Sequence, residues 1–297
     1  MVTVITGKDE GLLSVAGGHI RYTTTGSAAN PAVILVHGWL SHSGVWSQTV
    51  DLLKDHYYCV TIDLLGFGGS EKPTDADYSI PAQARRVLAL ADALDLDRFA
   101  LMGHSMGGQI SLYIAAVLAP ERVTRLVDVS GVVAGRLQPR VERLVYPMIR
   151  LGYHLPVLWM FMRRVLLRST WFIRWNFSPW FYDMRQLPLA DWQIDREMAF
   201  QPGIATPAYR AGQAIHETDL RPHLSKITAP TLVIFGTEDG TVPPTDGDLV
   251  AQHVAHSELK QFDRCGHFPM YECKTRFINA VRAFMVEAHM PVAVDRT

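Results

Sequence analysis

Charge of one sign, paired cysteines and long apolar runs are all scarce in this sequence. Its 28 lysines and arginines nearly balance 29 aspartates and glutamates, leaving a formal net charge of −1. No overall cationic field therefore exists to hold a phosphate backbone by counterion release, and nucleic acid is not an expected partner. The three cysteines, Cys59, Cys265 and Cys273, are odd in number and carry no CxxC or Cys/His spacing. That pattern argues against a disulfide framework and a structural zinc, and suits a reducing compartment. The opening MVTVITGKDEGLLSVAGG lacks a basic start followed by an apolar stretch and a small-residue cleavage site, so no secretory leader is expected and the cytoplasm is the predicted location. Leu151 to Leu167 is too short, and too interrupted by His154, Pro156, Arg163 and Arg164, for a spanning helix. Internal repeats and low-complexity tracts are absent as well.

What is present is a chain of 297 residues, 48% hydrophobic and 19% charged, which fits one large domain with room for an inserted subdomain. Both ends alternate short β-branched runs with longer helical patterns, the signature of a mostly parallel sheet with helices on both faces. Pro31 to Val36 is continuously apolar, as a strand buried on both sides must be, and stops at His37-Gly38-Trp39. Tyr58 to Asp63 is a second such strand, running into the glycine-rich Leu64 to Ser70. A helix is predicted over Ala82 to Leu94, a strand over Arg98 to Met102, a helix over Gly108 to Leu118, and strands over Val123 to Val129, Thr231 to Phe235 and Glu258 to Phe262. A last helix begins near Thr275.

Between Val132 and Gln213 the βα alternation gives way to aromatic and arginine-rich segments punctuated by proline. The expected organisation is a core of residues 1–131 and 214–297, with 132–213 as a helical cap inserted after the Val123 to Val129 strand.

Gly103-x-Ser105-x-Gly107 falls between a predicted strand and a predicted helix. A serine on so tight a turn is held in a strained conformation, and glycines on either side remove the Cβ atoms that would collide with nearby backbone, so Oγ is presented outward. A neutral hydroxyl is a weak nucleophile; it needs a base in hydrogen-bond reach and a third group to orient that base. Asp239, on the loop Gly236 to Gly240 that ends a strand, is the expected acid, with Glu238 beside it as the alternative. His267, in Arg264 to Pro269, is the expected base, since Asp then His follow the serine in the order such enzymes use. Backbone N–H groups of Trp39 and Met106 are the candidate oxyanion donors, each worth roughly 3 kcal/mol of transition-state stabilisation. His37 and His104 read more readily as braces for these loops than as catalytic groups.

Taken together, His37-Gly38-Trp39, Asp63 to Ser70, Gly103-His104-Ser105-Met106-Gly107-Gly108, Gly236-Thr237-Glu238-Asp239 and Gly266-His267 resemble the α/β-hydrolase family, in its cap-containing, serine-nucleophile branch. The resemblance covers nearly the whole chain outside the cap. It implies a central eight-stranded sheet, a triad of Ser105, Asp239 and His267, an oxyanion hole at Trp39 and Met106, and no metal or organic cofactor. Haloalkane dehalogenases and epoxide hydrolases of this family have aspartate where Ser105 stands, so the resemblance favours cleavage of a carboxylic ester. Serine-dependent C–C bond hydrolysis is second, because those enzymes usually show asparagine at the place of His104 and often tryptophan at that of Phe268; perhydrolysis is also compatible. The alternative from another class is a ligand-binding receptor or scaffold on the same fold.

The cap carries Trp159, Trp171, Trp175, Trp180 and Trp192 with Met148, Met160, Met162, Met184 and Met198. Part of this apolar mass packs the cap onto the core and part suits an acyl or aromatic pocket, pointing to a small or medium-sized lipophilic substrate. Eleven arginines against five carboxylates in the same segment make peripheral contact with an anionic membrane a further expectation. Oligomeric state has no signature in the sequence.

Overall fold

The computed structural model of the chain describes residues 8–158, 161–162, 171, 174–175, 178–184, 197 and 201–287. Eight strands, β1 (Lys8–Val15), β2 (Gly18–Thr25), β3 (Ala32–Val36), β4 (Tyr58–Ile62), β5 (Phe99–His104), β6 (Val123–Val129), β7 (Thr231–Gly236) and β8 (Ser257–Phe262), form one sheet in the order β1-β2-β4-β3-β5-β6-β7-β8. From β4 to β8 along the sheet all neighbours are parallel, while β1 and β2 form an antiparallel hairpin that extends the β4 edge. The order reverses at β3, which has β4 on one side and β5 on the other. At such a switch point the loops leaving the strands part, opening a crevice at their carboxyl ends.

β3, β5 and β7 are buried along their whole length, which is why each reads as an unbroken apolar run. Their side chains alternate between two cores. Ile34, Val36, Leu101, Val233 and Phe235 face one layer, with α2 (Ile80–Ala93) and α3 (Met106–Tyr113). Val33, Leu35, Met102, Leu232 and Ile234 face the other, with α1 (Ser47–Leu53) and, at the end of the chain, Phe277, Val281 and Met285. Each such side chain fully removed from water stabilises the fold by roughly 1.5–3 kcal/mol, so the sheet is a rigid platform for the loops at its edge.

Several boundaries differ from the sequence reading for identifiable reasons. α2 begins at Ile80, two residues early, because Ser79 caps it by accepting from Ala82 N at 3.3 Å and Pro81 suits a first helical turn. The strand before Ser105 continues through Gly103 and His104, paired with Asp128 and Val129 of β6, so the turn is confined to a single residue. α3 starts at Met106 and ends at Tyr113, giving way to a wider π turn over Ile114–Leu118, where Ala119 N reaches back to Ile114 O at 2.9 Å. Pro120 accounts for this, since the residue before proline is driven out of the α region. Ala119 has φ −152°.

Between β6 and β7 the described chain forms α4 (Pro139–His154) and α5 (Ala205–Glu217), which meet through a stack of Tyr153 on Tyr209 at 4.4 Å and an edge contact of Tyr146 with His216 at 5.8 Å. α6 (Thr245–His253), the short α7 (Pro269–Glu272) and α8 (Lys274–Met285) complete the chain. Among the described residues no helix is long and apolar enough to cross a membrane. Trp159, Met160, Trp192 and Met198 of the expected cap lie outside the described residues.

Candidate active site

Ser105 sits alone between β5 and α3 with φ 55° and ψ −119°. A non-glycine residue held there costs roughly 1–3 kcal/mol, offset by the elements that fix it on both sides. Its N–H donates to Val129 O of β6 at 2.9 Å, and its carbonyl accepts from Gln109 N of α3 at 3.0 Å. The flanking glycines are required by contact. A Cβ on Gly103 would collide with the Gly107 carbonyl, and one on Gly107 with the Val36 carbonyl of β3.

Asp239 and His267 lie on the loops that follow β7 and β8, and both are buried. The His267 Nδ1–H donates to Asp239 Oδ2 at 2.8 Å. The other carboxylate oxygen accepts from the backbone N–H groups of Thr241 and Val242, at 2.8 and 2.9 Å. All three donors satisfy the carboxylate out of water, and the Nδ1–H tautomer leaves a lone pair on Nε2. The neighbouring Glu238 is exposed and turned away. Its Oε2 accepts from Cys265 N at 2.9 Å and from the Thr237 hydroxyl at 2.7 Å, so of the two carboxylates Asp239 is the one that meets the imidazole.

The backbone around His267 is gripped residue by residue. Cys265 N–H is held by Glu238, Gly266 N–H by Glu272 Oε2 at 2.7 Å, and His267 N–H by the Trp180 carbonyl at 2.8 Å. On the other side, His104 Nε2 donates to the His267 carbonyl at 2.8 Å. Burial and then the facing His267 keep the His104 imidazole well below its ordinary pKa and neutral. His104 thus ties the serine turn to the histidine loop, with the two rings 4.6 Å apart. Ser105 Oγ and the His267 imidazole make no hydrogen bond to each other in this arrangement, a contact that in hydrolytic sites often closes only in the substrate complex.

His37 bridges the loop after β3 to the loop after β4: its Nδ1–H donates to Gly38 O at 2.7 Å and its Nε2 accepts from Leu64 N at 3.0 Å. Gly38 lies against the nucleophile, since a Cβ there would stand 2.9 Å from the Ser105 Cβ. Trp39 follows, with its indole N–H on the Ala208 carbonyl of α5 at 2.9 Å. Met106 opens α3, where backbone N–H groups have no intrahelical acceptor. The two expected oxyanion donors therefore sit at the ends of adjacent strands on either side of the switch point.

Four participants carry no direct sequence cue: Trp180, which contributes only a carbonyl, Thr241 and Val242, which each contribute an N–H, and Glu272. The last had a faint signal, a carboxylate in the short turn directly after the histidine loop. An apolar wall also stands beside the serine turn, where Phe268 packs on His104 at 4.6 Å and on Phe181 at 5.2 Å. Behind the turn, Asp128 of β6 is fully buried against Gly108 and Gly131, with no hydrogen-bond partner for either oxygen among the described residues. Burial, and then the nearby Asp246, push its carboxyl up to about 8.

Comparison with known proteins places this geometry in context. A family model described as the alpha/beta hydrolase fold matches residues 31–272. The chain is 30% identical over 270 residues to the pimeloyl-[acyl-carrier protein] methyl ester esterase of Nitrosomonas europaea, covering 89% of this chain and 98% of the relative. It is also 30% identical over 298 residues to the 2-hydroxymuconate semialdehyde hydrolase of Pseudomonas sp. strain CF600, covering 91% and 92%. Among solved structures, a bacterial membrane phospholipase A superposes with a TM-score of 0.76 at 26% identity, covering 94% of this chain and 86% of that one.

Proposed function

This chain belongs to the α/β-hydrolase family, and on that premise we propose that it is a serine hydrolase that cleaves a carboxylic ester of a small or medium-sized lipophilic substrate through an acyl-enzyme. The observation that carries the reading is the buried 2.8 Å bond from His267 Nδ1–H to Asp239, set beside a serine at φ 55°. His267 Nε2 takes the Ser105 proton as Oγ bonds to the carbonyl carbon; the electron pair moves to the carbonyl oxygen, which the N–H groups of Trp39 and Met106 receive. Collapse of that intermediate breaks the bond to the alkoxide, which leaves with the proton from His267. Water, deprotonated by the same nitrogen, then releases the acid and restores the serine. The ester preference is supported by a methyl ester esterase among the relatives, and the lipophilic substrate by the wall of Phe181 and Phe268.

A fluorophosphonate is expected to label Ser105 covalently and short p-nitrophenyl esters to be hydrolysed. Ser105→Ala and His267→Ala each lower turnover by about six orders of magnitude. Labelling at another residue, or full retention of activity in Ser105→Ala, overturns the reading and favours a binding module on this fold.

We also read the segment between β6 and β7 as a cap that rests on an anionic lipid surface. Val157, Phe161 and Trp171 are 76%, 70% and 72% exposed, and Trp171 stacks on Trp175 at 6.2 Å with the exposed Arg174 between them in sequence. Apolar side chains flanked by guanidinium groups suit the boundary between acyl chains and acidic headgroups.

A further inference from the structure

Glu272 joins two parts of the chain at the site. In α7, five residues past His267, its Oε2 accepts from Gly266 N–H at 2.7 Å, while its Oε1 accepts from Tyr182 N–H at 2.7 Å and Asp183 N–H at 3.1 Å. Tyr182 and Asp183 belong to a strip, Pro179 to Asp183, that lies in sequence between α4 and α5. The strip is held at two further points. The Trp180 carbonyl takes the His267 N–H at 2.8 Å, and the Pro179 carbonyl takes the Thr241 hydroxyl at 3.3 Å. The fit leaves no room at Gly266, where a Cβ would stand 2.7 Å from both Glu272 Oε2 and Tyr182 N.

We propose that Glu272 is a positioning residue of this hydrolase, whose carboxylate clamps the Pro179–Asp183 strip to the histidine loop so that the substrate wall at Phe181 and the base at His267 keep one fixed spacing. The proposal rests on the serine-hydrolase reading above and adds a division of labour to it. This strip belongs mechanically to the catalytic half of the molecule. The chemistry of the residue explains its identity. Three N–H donors converge from two directions, and only a carboxylate offers acceptor oxygens on both sides. An amide offers one oxygen and sets N–H against N–H at the other. Burial outweighs the three backbone donors and holds the Glu272 carboxyl above its ordinary pKa.

The test uses the full chain with Glu272→Gln and Glu272→Ala, counting active sites by fluorophosphonate titration and measuring kcat and KM for a p-nitrophenyl ester per titrated site. Hydrogen exchange is followed at Gly266, Tyr182 and Asp183. Misplacement of a base by about 1 Å costs on the order of a hundredfold, so kcat per site is expected to fall by roughly ten- to a hundredfold, less in Gln than in Ala, with all three amides losing protection together. A purely structural role would lower the melting temperature and the number of titratable sites while leaving kcat per site unchanged, and that result overturns the proposal. Should neither variant fold, the unaltered chain still decides. The three amides are expected to open as one unit across a denaturant series, and independent opening of Gly266 overturns the clamp. Failure of the hydrolase reading is distinguishable, because it shows as an unlabelled Ser105 in the unaltered chain.

Discussion

A carboxyl group with no hydrogen-bond partner among the described residues is the most informative single residue behind the site. Asp128 is raised to about 8, well above the value near 4 it takes when unfolded. The folded chain therefore binds a proton that the unfolded chain has lost between those two values. Stability from this group is full below about pH 4 and is lost as the pH rises toward 8. Asp128→Asn, which mimics the protonated form, is expected to leave the melting temperature nearly unchanged near pH 4 and to raise it by an increment that grows up to about pH 8 and then levels off. A difference between variant and native chain that is constant with pH would refute the assignment. At this scale the sequence makes legible the pairing of Asp239 with His267 and the strained turn at Ser105, whose order and flanking glycines single them out. It is silent where any residue would serve. The carbonyl of Trp180 and the N–H groups of Thr241 and Val242 come from backbone, and the choice between Asp239 and Glu238 depends on which way one turn faces.

Burial alone does not decide which elements are legible in the sequence, since the mostly exposed β8 is read from it and the more buried β2 is not. β3, β5 and β7 announce themselves as apolar runs, whereas the β1–β2 hairpin went unread, because it lies at the sheet edge with Leu12 exposed and threonines inside. The cue that was available is the Gly17-Gly18 pair, with φ +92° at Gly17, at the hairpin's turn. The β5–Ser105–α3 unit is the element on which the proposed function depends, and its tolerance is narrow. In Gly103→Ala the new Cβ meets the Gly107 carbonyl and stands 2.6 Å from Ser111 Oγ, so α3 must retreat from the sheet. A loss of about 2 kcal/mol in urea unfolding, together with loss of fluorophosphonate labelling, is expected. Unchanged labelling would show that the turn can absorb the methyl group.

Across the whole molecule, β3, β5, β7 and β8 all end on one side of the sheet, and that topology gathers Trp39, Met106, Asp239 and His267 at that edge. The alternation of strand and helix patterns made this arrangement readable, while the aromatic segment between β6 and β7, without periodic alternation, made only its helical character so. Its outward face leads to a prediction at the same scale. The chain is expected to sediment with vesicles containing phosphatidylglycerol and to stay in solution with pure phosphatidylcholine, the binding weakening as salt screens the arginines. Phe161→Ser combined with Trp171→Ser should reduce it. Equal sedimentation with both lipids, or with neither, would refute a charge-assisted membrane face.

The hairpin that carries no chemistry nevertheless reaches the crevice. Arg21 of β2 donates to the buried Asp63 at 3.2 Å, and the same carboxylate fastens Ser43 N at 2.6 Å and Gly69 N at 2.9 Å, on the two loops that flank His37. A chain trimmed to start at Gly26 would retain Ser105, Asp239 and His267 and lose the guanidinium that neutralises this hub. The amino-terminal ribbon is thus a remote shim for the loops around His37, and trimming it is expected to blunt the proposed turnover while leaving Ser105, Asp239 and His267 in place.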